Sequence, residues 1–128
     1  MGLKESLHIM VVDDMSTSRG LICQALDEIG IPNYSAEVDG KEALPKLVSR
    51  PVHLVISDQN MPNLDGIGLL EALRHNKTTS RIGFILVTGS PTPEIVGRGQ
   101  KLGLNNLIKK PFTVPAMKQC IESVVGRL

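Results

Sequence analysis

Four short apolar runs in this chain stop on residues that can do chemistry. The run over 7–12 stops at Asp13-Asp14, and HLVIS over 53–57 stops at Asp58. The run over 84–87 stops at Thr88-Gly89, and the short one beginning at Leu107-Ile108 stops at Lys109-Lys110-Pro111. In an open parallel α/β sheet, ligands bind beyond the carboxyl ends of the strands. Three carboxylates, a hydroxyl and an ammonium would therefore meet on one rim. Carboxylates held together repel, and some must protonate unless a cation compensates them. A hard, oxygen-liganded divalent cation fits such a set. Mg²⁺ in particular takes one or two carboxylates, keeps waters and shares the remainder with phosphate. No His or Cys clusters with these positions in the sequence, which disfavours zinc. A metal beside a carboxylate, with Thr88 and Lys110 near, is an arrangement for phosphoryl transfer, and a carboxylate can itself accept the phosphoryl group. Each piece alone has a plainer reading as a solvated loop, a turn former or a surface lysine. Their joint placement at four strand ends carries the weight.

The elements that must position them alternate. Leu21, Ile22, Ala25, Leu26 and Ile29 recur at helical spacing behind a candidate cap at Ser16, and Gly30 is a natural stop. A weak strand follows over 34–38. A helix over 40–49 contains Pro45, which removes a hydrogen bond and costs about 3 kcal/mol in an interior. That helix is expected to kink or to start late. QNMPNLDG is turn chemistry, and Ile67, Leu70 and Leu73-Arg74 open the next helix. The stretch 92–102 is helical by its place in the alternation but poor in formers, with Pro91, Pro93, Gly97 and Gly99. Thr113 caps a last helix with Pro115 in its first turn and Ala116, Cys120, Ile121, Val124 and Val125 on its buried side. Strand and helix alternate five times, which argues a parallel sheet covered by helices on both faces. No linker, repeat or low-complexity stretch divides residues 1–128, so one domain is expected.

Composition narrows the class. A chain of 128 residues scales to roughly 6,700 Å² folded against roughly 20,000 Å² extended, enough burial for a core without staples. Two cysteines, Cys23 and Cys120, cannot build a disulfide framework and read as reduced core thiols of a cytoplasmic protein. Net charge is +1 and aromatics are 2%, so neither the basic footprint nor the stacking platforms of a nucleic-acid binder are present. No apolar run approaches a membrane span, and residues 1–7 lack the apolar stretch of a signal peptide. His8, His53 and His75 read as isolated strand-end or surface imidazoles.

The segments VVDDMSTSR, EVDGKEAL, VISDQNMPNLDG, LVTG and KKPFT resemble the receiver domain of two-component response regulators, in particular its single-domain, CheY-like chemotaxis members. The match covers nearly the whole chain. The resemblance implies a flavodoxin-like, doubly wound (βα)5 sheet of order 2-1-3-4-5. It implies that Asp58 accepts the phosphoryl group and that Asp14 binds Mg²⁺ directly. Asp13 would act more through water, and the Asn60 carbonyl would complete the protein ligands. Thr88 and Lys110 would bind the phosphoryl group, and Lys110-Pro111 would be cis. Two departures stand out. Leu107 occupies a position that is usually aromatic, so an aromatic rotamer switch has no ring to use. The segment SPTP with Gly97 and Gly99 falls where an output helix is expected, and that helix is read as shortened or mobile before phosphorylation.

The leading function is a binding module switched by phosphorylation. A chemotaxis histidine kinase would donate to Asp58. The phosphorylated form would bind the flagellar motor switch through a face near Arg98, Leu107, Lys109 and Lys118. A phosphatase is a candidate third partner, and a monomer is the default. The alternative is a phosphate sink or relay intermediate with no motor output; Ser90 is small and would let water reach the phosphoryl group. Catalysis on external substrates is not expected. Asp13 and Asp14 would repel a flavin or nucleotide phosphate from Ser16, Thr17 and Ser18, no G-x-G-x-x-G follows the first strand, and DD replaces the D-x-D of haloacid-dehalogenase-type phosphatases.

Overall fold

The computed structural model describes residues 2–128. Its accessible surface is 6834 Å², close to the value that chain length implies. The elements are α1 (Leu3–Ser6), β1 (Ile9–Val12), α2 (Ser16–Ile29), β2 (Tyr34–Glu37), α3 (Gly40–Ser49), β3 (Leu54–Asp58), α4 (Gly66–Arg74), β4 (Gly83–Thr88), α5 (Pro93–Lys101), β5 (Asn106–Lys109) and α6 (Val114–Val125). The five strands form one parallel sheet in the order β2-β1-β3-β4-β5. This is the flavodoxin-like arrangement expected.

The inner strands β1, β3 and β4 read as nearly unbroken apolar runs because both faces of the sheet are covered there, whereas the border strands β2 (YSAE) and β5 (NLIK) do not. Ile9, Val11, Leu54, Ile56, Ile85 and Val87 pack with α2 and α6, through residues such as Ile22, Leu26, Met117 and Ile121. Met10, Val12, Val55, Phe84 and Leu86 pack on the other face with Leu47, Ile67, Leu70 and Leu73. The strict alternation along β1 sends each successive side chain into a different half of the core.

Several local expectations change. Ser16 does not cap α2; Met15 is the N-cap, without a side-chain bond, and Ser16 is already helical. Leu21 is 55% exposed rather than core. Its helical spacing places it at the edge of the buried stripe. Pro45 lies inside α3, and the helix nonetheless begins at Gly40 behind the Asp39 cap, which accepts from Glu42 N. A late start is excluded. The poor helix former forms a nine-residue helix, α5, capped by Thr92 through Ile95 N; only Gly99 of it is buried. α1 was not expected; it is a single turn closed by Leu7 N on Leu3 O. His8 and His53 are not isolated: the His8 amide donates to His53 Nδ1 at 3.0 Å, and the rings lie 5.8 Å apart.

Arg74 ends α4 and, among the described residues, forms no ion pair. Its guanidinium donates instead to the carbonyls of Leu102, Ser80, Ile82 and Gly103 and to Asn105 Oδ1. Burial holds its pKa below the ordinary arginine value. Five fixed donors of one side chain thus tie α4 to the loops that lead into β4 and β5.

Candidate functional site

The register brings the chemistry together. Val12 pairs with Ser57, so the next residues, Asp13 and Asp58, emerge side by side at the carboxyl rim. Thr88 pairs with Lys109, and the Lys110 amide donates to the Thr88 carbonyl at 2.9 Å. Lys110 therefore leaves the sheet next to Thr88, and the Lys110-Pro111 peptide is cis as expected.

One carboxylate oxygen from each of Asp13, Asp14 and Asp58 lies within 4.8 Å of the other two. Asp13 is fully buried, Asp58 is 6% exposed, and Asp14 is exposed. The carboxylate of Asp13 is already engaged: Oδ1 accepts from Met15 N at 3.0 Å and Oδ2 accepts from the Ser18 hydroxyl. Its backbone carbonyl accepts from Arg19 Nη1 at 2.8 Å. Lys110 Nζ stands 2.9 Å from Asp58 Oδ1 and 3.7 Å from Asp13 Oδ2, and donates to Ser18 Oγ at 2.7 Å. Burial pushes the Asp58 carboxyl above its usual range and the Asp13 charge adds to this, while Lys110 pulls the other way. A buried carboxylate beside a second one is a site short of positive charge. Its donor atoms are all oxygen, which suits Mg²⁺ and not a thiolate- or imidazole-seeking metal.

The turn after Asp58 is held from beneath. Gln59 is buried; its Oε1 accepts from Ile67 N at 2.9 Å and its Nε2 donates to Asp65 Oδ2. Asp65 caps α4 by accepting from Gly68 N at 2.7 Å. Gly66 must lack a side chain, because a Cβ would lie 2.6 Å from both Asp58 O and Leu86 Cδ1. Asn60 is exposed at the rim directly after these residues. Thr88 is 1% exposed, and its Oγ1 accepts from Ser90 N at 3.1 Å. That leaves its hydroxyl hydrogen to donate.

Asp13, Asp14, Asp58 and Lys110 thus form one cluster, with Thr88 on the adjoining strand end. Of the other candidates, Leu107 and Lys109 are on the edge strand β5, Arg98 is on α5 and Lys118 on α6. Leu107 is half-buried against the α4 side of the core. Arg98 on α5 and Lys109 are exposed, and Lys118 on α6 is half-buried. Sequence reasoning missed Ser18, Arg19 and Gln59 as parts of the site. Ser18 had a readable signal, since a hydroxyl in the first turn after a rim carboxylate can reach back to it. Gln59 had none, because its amide acts only through the folded turn.

Residues 9–122 match the model of the response regulator receiver domain. A probable chemotaxis protein CheY of Rhizobium etli is 41% identical over 128 residues, covering 100% of this chain and 99% of that protein. The chemotaxis protein CheY of Pseudomonas aeruginosa is 33% identical over 95% of this chain and 98% of its own. Among solved structures, Vibrio cholerae CheY4 superposes with a TM-score of 0.85 at 25% identity, covering 92% of this chain and 98% of its own. The receiver domain of the Pseudomonas aeruginosa sensor kinase PA1611, solved with a magnesium ion in its active-site cleft, shares the fold. Its TM-score is 0.84 at 20% identity, covering 94% of this chain and 98% of its own. A family model that spans most of the chain and a relative alike from end to end agree with the rim of acids built here: the chain belongs to the receiver-domain family of two-component response regulators, alongside its CheY-type chemotaxis members.

Proposed function

We propose that this chain is a chemotaxis receiver switched by phosphorylation of Asp58, acting in the cytoplasm as a single domain. The observation that carries the reading is the contact of Lys110 Nζ with Asp58 at 2.9 Å inside a triad of carboxylates. An Asp58 carboxylate oxygen attacks the phosphorus of a phosphohistidine on a chemotaxis kinase. The P–O bond forms as the P–N bond breaks, and the imidazole leaves with the bonding pair and takes a proton from solvent. Lys110 pairs with a phosphoryl oxygen, and the free Thr88 hydroxyl hydrogen donates to another. Asp13, Asp14, Asp58 and the Asn60 carbonyl would hold Mg²⁺, which when bound offsets the charge of acceptor and phosphoryl group. Hydrolysis reverses the state: water attacks phosphorus, the P–O bond to Asp58 breaks, and orthophosphate leaves.

Output follows from the Ser90 amide bonded to Thr88 Oγ1. A Thr88 hydroxyl drawn towards the phosphoryl group pulls on the loop that leads into α5. The face around β5, with Arg98, Leu107, Lys109 and Lys118, would then meet the flagellar motor switch. With Leu107 in place of an aromatic, the change must run through the loop and aliphatic packing. The exposed, small Ser90 favours the second reading, a phosphate sink that loses its phosphoryl group quickly to water.

Radiolabelled kinase phosphohistidine with Mg²⁺ is expected to label the wild type and not Asp58→Asn; label retained in the variant overturns the assignment. A peptide from the flagellar switch protein is expected to bind at least tenfold more tightly in Mg²⁺ and beryllofluoride, which stands in for the phosphoryl group. Equal binding in both states, with loading confirmed by fluorine NMR, selects the sink.

A further inference from the structure

The sheet has a second rim, and its chemistry is the opposite of the first. His53 precedes β3, ~17 Å along the strand from Asp58. The connection from α4 to β4 reaches the same edge. There His53, Lys77, Thr78, Ser80 and Arg81 line a pocket of about 350 Å³ with Val52. None of its lining residues is acidic. By contrast, the groove beside Lys110 includes Glu28 and the groove along α3 includes Glu37. Among the described residues neither Lys77 nor Arg81 forms an ion pair. Two full charges therefore face this pocket without compensation.

The surrounding structure removes the groups that would repel an anion. Arg74 Nη1 donates to the carbonyls of Ser80 and Ile82 at 3.0 and 2.8 Å. Those acceptors are spent inward, and a third cation stands behind the loop. Asn76 Oδ1 accepts from the amide and hydroxyl of Thr78. The buried Thr79 hydroxyl donates to Leu73 O at 2.8 Å. These bonds brace the loop from within. His53 Nδ1 accepts from the His8 amide at 3.0 Å, so its neutral ring carries the proton on Nε2. The nitrogen left for a ligand is a donor. The same bond argues against a transition metal, because Nε2 could offer a lone pair only by moving its proton to Nδ1, against the His8 N–H.

We propose that this pocket is a binding site for a small oxyanion, a phosphate group that is either inorganic or carried by a small metabolite. Arg81 grips it as a planar fork, Lys77 as a point charge, and His53 Nε2–H as a third donor. The site is separate from the carboxylate rim and does not depend on phosphorylation of Asp58.

Amide-resolved NMR titration of the whole chain tests it, with inorganic phosphate and adenosine monophosphate as probes and sodium chloride at matched ionic strength as control. Saturable shifts centred on residues 53 and 77–81 are expected with phosphate and absent with chloride. The Lys77→Gln, Arg81→Gln double variant is expected to bind at least tenfold more weakly. Beryllofluoride loading at the carboxylate rim should be unchanged, which shows that the fold is intact. Equal affinity for both probes assigns the phosphate alone; tighter binding of the monophosphate assigns a metabolite as its source. Shifts that follow ionic strength, that centre on Lys110, or that survive the double variant overturn the proposal. So does binding of a hexaglutamate peptide when neither phosphate probe binds, which would make the surface a protein docking site.

Discussion

Asp58 is poised by conflict. Burial and the Asp13 charge raise its pKa against the pull of Lys110, so the folded chain keeps this proton to higher pH than the unfolded chain. Between the ordinary carboxylate value near 4 and the raised folded value, rising pH therefore removes stability. Asp58→Asn is expected to stabilise the protein by about 1 kcal/mol at pH 7 and to do little at pH 3, read from urea unfolding. An equal gain at both pH values would contradict this origin. Lys110→Ala leaves two buried acids without their cation, and is expected to cost about 1–2 kcal/mol at pH 7 after allowing for its partial exposure. That Asp13, Asp14, Asp58, Thr88 and Lys110 meet at one rim was legible because they follow or end apolar runs. Gln59 was not legible as part of the site, since an amide has no diagnostic spacing until the turn that aims it exists; Ser18 carried a signal in its place in the first helical turn after a rim carboxylate. The cysteines separate by the same physics. Burial pushes the Cys120 thiol up to about 11, while Cys23 is half-exposed. A thiol reagent at pH 8 is expected to modify Cys23 well before Cys120 and to reach both only in denaturant.

At the scale of elements, α3 and α5 are built against their own propensities. Pro45 leaves the Lys41 carbonyl without its helical donor, yet α3 continues through it, anchored by Ala43 and Leu47 in the core. Because Pro45 is exposed, Pro45→Ala is expected to add about 1–3 kcal/mol of stability, seen as a higher urea midpoint at unchanged slope. α5 forms by its Thr92 cap and the first-turn Pro93, with Gly99 its one buried residue. Amides across 93–101 are expected to exchange faster than those of α6, which buries Met117, Cys120 and Ile121. Protection equal to that of α6 would remove the loose output helix from the functional reading. Strand order could not come from the pattern of apolar runs, because alternation fixes neighbours in sequence and not in space; it came through the family resemblance. α1 escaped notice because a single turn has no periodicity to read.

Across the whole molecule, one ionisation should be visible in bulk stability. The folded state keeps the Cys120 proton up to about 11, while an unfolded thiol loses it near 9. From about pH 9 to 11 this group is expected to lower stability by on the order of 2 kcal/mol, and Cys120→Ala should lessen the slope, the remainder coming from Cys23 and Tyr34, which also hold their protons longer when folded. A different consequence comes from where the sheet stops. β2 and β5 are its borders, and each is four residues long. With a net charge of only +1, overall repulsion does little to keep copies apart. Protection against growth from copy to copy must be local. Beside β2 the Lys46–Glu37 pair sets two charges along the border, and β5 runs out into exposed Lys109 and a proline with no amide to donate. A foreign strand would find too few rungs to pair with and a charge or a missing donor at their end, so the chain guards its solubility at two short borders.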